Sequence, residues 1–218
     1  MKDKQPRKVE DFLETHHFKI MLLEDFLGTV PKNKEIYASH IQSKAKDFIT
    51  DDEKEKELET NEEVEEKGWT GFHKDDDGIF IFSYMCKGFI KSAADTLMEI
   101  GMIKKVVAYK KRIDNMIFIN PRKLRFKNDE GNIISEPDDV LERPLRIMTR
   151  QGPRVTVSRS DLIKAGRLIE FDIAMFPSSK SFTWSDIVEI LDYGKYVGLG
   201  QWRASGGYGK FEVVELDI

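Results

Sequence analysis

Residues 88–101 read GFIKSAADTLMEIG, and residues 102–120 continue MIKKVVAYKKRIDNMIFIN. In the first stretch Phe89, Ala93, Leu97 and Ile100 recur at helical spacing, and Gly101 is placed to stop the helix. In the second, Val106–Tyr109 and Met116–Ile119 are strand-like, with Pro121 just after. A helix that hands over to strands in this way is one half of an α+β unit. The other parts lie on either side. Upstream, Phe18–Leu23 (FKIMLL) reads as a buried strand. Downstream, Leu168–Met175 alternates as a strand does. Thr183 or Ser185 can cap a helix through Leu191, with Ile187, Ile190 and Leu191 as its inner face. Phe211–Leu216 is a final strand.

The order is strand 18–23, helix 88–100, strand near 106–119, strand 168–175, helix 184–192, strand 211–216. That is βαββαβ, the ferredoxin-like pattern, with both helices expected on one face of an antiparallel sheet. Two segments become insertions. Residues 36–82 hold a short helix at Ile36–Phe48, an acidic run at Asp51–Lys67, an Asp77-Gly78 turn and a strand at Ile79–Phe82. Residues 128–160 hold the NDEGN turn at 128–132. They also hold a hairpin, Leu145–Thr149 with Arg154–Ser158, around Gln151-Gly152-Pro153. The whole chain, residues 1–218, reads as one domain.

Composition bounds the function classes. Of 218 residues, 40% are hydrophobic, enough for a core. No apolar run is long enough to cross a bilayer, and Met1–Glu10 lacks the apolar segment of a secretory signal. One cysteine, Cys86, excludes an internal disulfide framework and a multi-cysteine metal site. A soluble cytoplasmic protein is expected. The net charge of −4 conceals a division. Asp51–Lys67 carries net −7, so the other 201 residues sum to +3. Ile103–Lys127 carries net +8 and Arg143–Arg167 net +6. The local field, not the total, decides whether a polyanion is attracted.

Three constellations stand out. The first is GLGQWRASGGYG, residues 198–209, in which Gly198, Gly200, Gly206, Gly207 and Gly209 allow close backbone approach and positive φ. Trp202, Arg203 and Tyr208 are interleaved and offer stacking faces and a fork for phosphate. The run is neither a Walker loop nor a dinucleotide fingerprint, since it follows a helix and opens a strand. A structural loop packed against the first strand is the plain alternative. The second is Tyr84–Ser92, where Gly88 with Lys87 and Lys91 marks a helix start able to attract an anion. A helix start with its lysines standing in water is the plainer reading, since lysine is mostly a surface residue. The third is Glu142–Arg154, where Arg143, Arg146, Arg150 and Arg154 fall within twelve residues on or beside the hairpin. A basic β-ribbon suits a phosphate backbone, unless its arginines pair with the acidic run of the same chain. Other signals are weaker. His16 and His17 lack a visible carboxylate partner, His73 beside Asp75–Asp77 fits turn chemistry better than a metal loop, and Cys86 has no nucleophile signature. No metal or cofactor is expected.

The late glycine-rich loop leading into the last strand, GLGQWRASGGYGKFEV, resembles the signature of the RAMP superfamily, the ferredoxin-like RNA-binding subunits of CRISPR effector complexes. Cys86-Lys87-Gly88-Phe89-Ile90-Lys91 is similar to the strand-to-helix turn of their backbone subunits. Lys91 takes the Arg position, and Met85-Cys86 stand where a Ser-Ser pair is usual. FLGTVPKNKEIY, ERPLR…TRQGPR and GLGQWR…GGYGKF together look like an uncharacterised RAMP-like group of phage-encoded proteins. The resemblance implies RNA as partner and membership of a larger assembly or a homo-oligomer.

The expectation is non-catalytic binding of single-stranded nucleic acid, RNA first. Lys87, Lys91, Arg146, Arg150, Arg154 and Arg203 would converge on one surface beside the glycine-rich loop, with Trp202 or Tyr208 stacking a base. Three rivals stand beside it. They are a binder of a small phosphorylated ligand such as a cyclic nucleotide, a metal-independent endoribonuclease using His16 or His17, and a structural assembly subunit.

Overall fold

The computed structural model describes residues 8–32, 69–149, 152–178 and 180–217. The short helix expected at 36–48, the acidic run 51–67 and Arg150 lie outside the described residues.

In chain order the strands are β1 (Glu14–Leu22), β2 (Phe26–Leu27), β3 (Val30–Pro31), β4 (Thr70–Gly71), β5 (His73–Asp75), β6 (Gly78–Phe82), β7 (Ile117–Asn120), β8 (Lys123–Lys127), β9 (Asp139–Thr149), β10 (Gly152–Ile163), β11 (Leu168–Met175) and β12 (Phe211–Asp217). Among the described residues there are three α-helices, α1 (Tyr84–Glu99), α2 (Tyr109–Met116) and α3 (Trp184–Asp192). The fold is α+β. Seven strands form the main sheet in the order β12-β1-β11-β8-β6-β5, with β7 also on β11, and every pairing is antiparallel. Five form a second sheet, β2-β10-β4-β3, with β9 on β10.

Alternation in β1 shows how the main sheet is covered. Phe18, Ile20 and Leu22 are buried, while His17, Lys19 and Met21 face the other way. The buried set joins Phe89 and Ile90 of α1 and Ile187 and Ile190 of α3 in one core. Edge-to-face contact of Phe89 with Phe211, 5.1 Å between centroids, ties α1 to β12. Apolar burial of this kind is the main favourable term of folding. α3 begins as its sequence dictates. Thr183 Oγ1 accepts from the Asp186 N–H, and Asp186 accepts from the Thr183 N–H at 2.7 Å, a reciprocal capping box.

Three expectations change. The first helix starts at Tyr84, not Gly88, and Ile100 is its exposed C-cap rather than part of the inner face. Gly101, at φ +78°, does end it. Val106–Tyr109 is not a strand. Val106 is buried, its N–H donating to Met98 Sδ, Val107 is exposed, and Ala108 turns at φ +54° into α2. The slot on β11 is taken by β7 and β8 instead. The hairpin around residue 151 is present and longer than expected, and β6 with β5 extends the main sheet beyond β8.

Candidate nucleic-acid interface

The glycine-rich segment closes on itself. Leu199 N–H donates to the Gly209 carbonyl at 2.8 Å, and Gly209 N–H donates to Asp25 O at 2.8 Å in the turn after β1. Gly198 and Gly209 both have positive φ, +77° and +69°. A Cβ on Gly209 would sit 2.0 Å from Leu199 O, and one on Gly198 2.5 Å from the Gly209 carbonyl carbon. Only glycine allows that closure. Gly200 packs on the Phe26 ring, while Gly206 and Gly207 lie in a short turn at the tip beside exposed Arg203. Chain geometry thus accounts for Gly198, Gly200 and Gly209 without a ligand.

The tip carries the chemistry. With its amide nitrogen donating to the Gly28 carbonyl and the Thr70 hydroxyl, Gln201 accepts the Trp202 indole N–H at 3.0 Å. Thr70 in turn bonds Ser160 of β10 at 3.0 Å. The Arg143 guanidinium, on β9, lies 3.8 Å over the Trp202 ring and 5.5 Å from the Tyr208 ring. Such contacts fix a cation on an aromatic face.

A second stack grips the other side of the same ribbon. Lys32 lies 4.4 Å over the Trp69 ring and Arg159 5.6 Å from it. Arg159 Nε donates to Glu142 at 2.8 Å. Beneath them is Asp161, 3% exposed, whose Oδ1 accepts from Lys32 Nζ at 2.8 Å and from Trp69 Nε1 at 2.9 Å. Register separates the two faces. Arg143 pairs with Ser158 on one, Glu142 with Arg159 on the other. β10 meets β4 at Ser160 and β2 at Leu162 and Ile163. Among the described residues, 144–149 and 152–157 pair only with each other, so β9 and β10 run out as a two-stranded arm whose root is held on both faces.

The same register bears on the arginines of the arm. Arg146 pairs with Val155 and Arg154 with Ile147, which assigns positions 146 and 154 to opposite faces of the arm. Position 154 shares the face of Arg143, position 146 that of Arg159. Lys87 and Lys91 are occupied elsewhere. Lys91 pairs with Asp114 at 2.6 Å, and Lys87 donates to Asp114 O at 3.1 Å, partial burial lowering its pKa. Because α1 begins four residues before Gly88, the Lys87 N–H is already bonded, to Ser83 O at 3.2 Å. The free amides of a helix start are therefore not at the Lys87-Gly88 pair. Sequence reading missed Lys32, Trp69 and Asp161 as one cluster, and it missed Arg143 as the joint. Arg143 could be read as basic, but not as facing residues some 60 positions away.

The open face of the main sheet is charged yet balanced. Glu215, Lys19, Glu170 and Lys127 form a ladder across β12, β1, β11 and β8, with contacts of 2.6, 3.5 and 2.5 Å. Arg125 binds Asp75 and Asp77 at 2.8 and 3.0 Å, and Lys123 shares Asp75. Hydrogen bonds from Arg125 and then Lys123 hold the Asp75 carboxyl well below the usual carboxylate range. His17 Nδ1 lies 2.7 Å from Asp172 Oδ1 at the rim of a cleft of about 410 Å3, which Lys123, Arg125, Lys127 and Glu170 also line. His16 meets the Trp184 ring edge-on at 4.2 Å. Burial pushes the Cys86 thiol up to about 12, which removes it as a nucleophile. Among the described residues no cluster of metal-ligating side chains occurs, and no helix is long and apolar enough to cross a membrane.

No family model matches the chain, and no curated protein does. Among solved structures it is similar to a chain of the cryo-EM structure of the Type III-B Cmr-beta bound to cognate target RNA, with a TM-score of 0.52 and 12% identity. The similarity covers 95% of this chain and 61% of that one, so the chain spans less than two thirds of its relative's length. At that identity the likeness is one of fold.

Proposed function

We propose that the chain binds single-stranded nucleic acid, RNA in particular, without cleaving it, on the face of the β9–β10 arm that carries Arg143. The observation that carries this reading is the Arg143 guanidinium against Trp202 and Tyr208. It joins the basic ribbon to the glycine-rich loop, so phosphate-binding and base-stacking groups share a surface. A backbone laid along the arm meets position 154, while Trp202 offers its free area to a base. The balanced ladder on the main sheet argues against that face as the polyanion site, since each cation there already has a carboxylate. Strand order supports a ferredoxin-like core. β12, β1, β11 and β7/β8 stand as fourth, first, third and second strands of a βαββαβ unit, with α1 and α3 as its helices. The chain of the RNA-bound Type III-B structure is similar to this one in its overall α+β fold.

The test is a mobility-shift titration with a labelled single strand at several salt concentrations. Log affinity falls with log salt, by about 0.7 per phosphate contact. Arg154→Ala lowers affinity and slope, whereas Arg146→Ala, on the other face, leaves the slope in place. Equal effects of both would show that the strand does not follow one face.

A second reading rests on His17. An imidazole held by a carboxylate at 2.7 Å on a cleft is the arrangement a general base needs, and it keeps metal-independent RNA cleavage as the rival. Cleavage by purified protein, abolished in His17→Ala, would favour that rival.

A further inference from the structure

The loop that joins α1 to α2 carries aliphatic side chains in the open, with Ile100 65%, Met102 56% and Val107 80% exposed. The chain around them holds them out. Met102 and Ile103 N–H both donate to Leu97 O, at 2.9 and 3.3 Å, and Val106 N–H donates to Met98 Sδ at 3.3 Å. Both sides of the loop are thus tied to the last turn of α1. Ile103 and Val106 are buried there, which leaves Met102, Lys104, Lys105 and Val107 outside. Arg112 Nε donates to Val107 O at 2.9 Å, and Ala108 turns at φ +54°, where residues other than glycine are uncommon. The aliphatic groups therefore stand on a fixed, projecting tip.

The tip is basic. The whole helical hairpin, residues 84–116, holds seven bases and three acids. Asp114 is taken by Lys91 at 2.6 Å, and Asp95 bonds the Tyr109 hydroxyl. Glu99 is the third acid, and beside it the loop and the start of α2 carry Lys104, Lys105, Lys110, Lys111 and Arg112. The four lysines are exposed. A nucleic-acid strand would use those charges but gain little from the aliphatic groups, because bases stack on rings. A bilayer of anionic lipid uses both, since its headgroup phosphates lie directly over hydrocarbon. We propose that the Ile100/Met102/Val107 tip docks on an anionic lipid surface, with its aliphatic side chains in the interfacial layer and its lysines among the headgroups. The contact is with one leaflet. No helix among the described residues is long and apolar enough to cross a membrane, and this docking needs none.

The test is cosedimentation of the full chain, nuclease-treated, with vesicles of phosphatidylcholine mixed with phosphatidylserine and with vesicles of phosphatidylcholine alone. No nucleic acid is present, so the result stands apart from the nucleic-acid reading. The chain is expected to bind the mixed vesicles, less tightly as salt rises, and to leave the neutral ones unbound. Val107→Asp lowers the partition coefficient roughly tenfold, because it removes an apolar contact and adds a charge that must be desolvated. Lys105→Ala and Lys111→Ala each lower it about fivefold. All three positions are exposed, and circular dichroism checks that each variant folds. Absence of binding to the mixed vesicles overturns the proposal. So does binding that Val107→Asp leaves intact, since that is charge attraction without entry of the aliphatic groups. Lysine variants that keep vesicle binding but weaken binding of a labelled single strand overturn it too, and make the tip a nucleic-acid contact.

Discussion

Arg143 and Trp202 show how a site forms between segments that are each ordinary alone. Trp202 holds φ +55°, in the left-handed region where non-glycine residues are uncommon, and Gln201 pins its indole N–H. Trp202→Ala is expected to weaken single-strand binding by roughly 1–3 kcal/mol and leave the salt slope alone, since stacking releases no counterions. Binding isotherms at three salt concentrations check both parts. Asp75 is a carboxylate that its Arg125 and Lys123 partners hold ionised. Its folded pKa is depressed below the unfolded one, so its stabilisation is present above the unfolded pKa and is lost as pH falls through the folded value. Melting curves should show stability falling below about pH 4, and Asp75→Asn should flatten that acid limb. An unchanged limb would mean that Arg125 and Lys123 do not favour the ionised carboxyl.

Elements were legible where their own sequence decides them. Thr183 with Asp186, followed by Ile187, Ile190 and Leu191, gives α3 by capping and periodicity alone, and Thr183→Ala should cost about 1 kcal/mol in chemical denaturation. The body of α1 was equally clear, but its start was not. Ser83 has helical φ and ψ and makes no side-chain cap, so nothing in Ser83–Lys87 announces a helix. Val106-Val107 misled for a physical reason. β-branched residues suit strands, yet here one side chain closes the end of α1 and the other faces water. The arm was visible from its turn and alternation. Which arginine lies on which face was not, because that depends on register, and a one-residue slip exchanges the faces.

For the molecule as a whole, the α+β class could be read from sequence, but the contact of Arg143 on the arm with Trp202 and Tyr208 of the glycine-rich loop could not. The clamp of Lys32, Trp69 and Asp161 could not, since it joins residues from three separated segments. Net charge belongs to this scale too. Deleting residues 51–67 moves the total from −4 to +3. Nonspecific polyanion binding should then tighten at low salt, as a retardation assay would show.

The most direct measurement is fluorescence anisotropy of a labelled single-stranded RNA titrated with wild type, Arg154→Ala, Arg146→Ala and Trp202→Ala across a salt series. The account predicts salt-dependent binding, a lower slope for Arg154→Ala alone, and weaker binding at unchanged slope for Trp202→Ala. An affinity indifferent to salt and to all three substitutions would contradict it, and would leave the glycine-rich loop as a structural closure between α3 and β12.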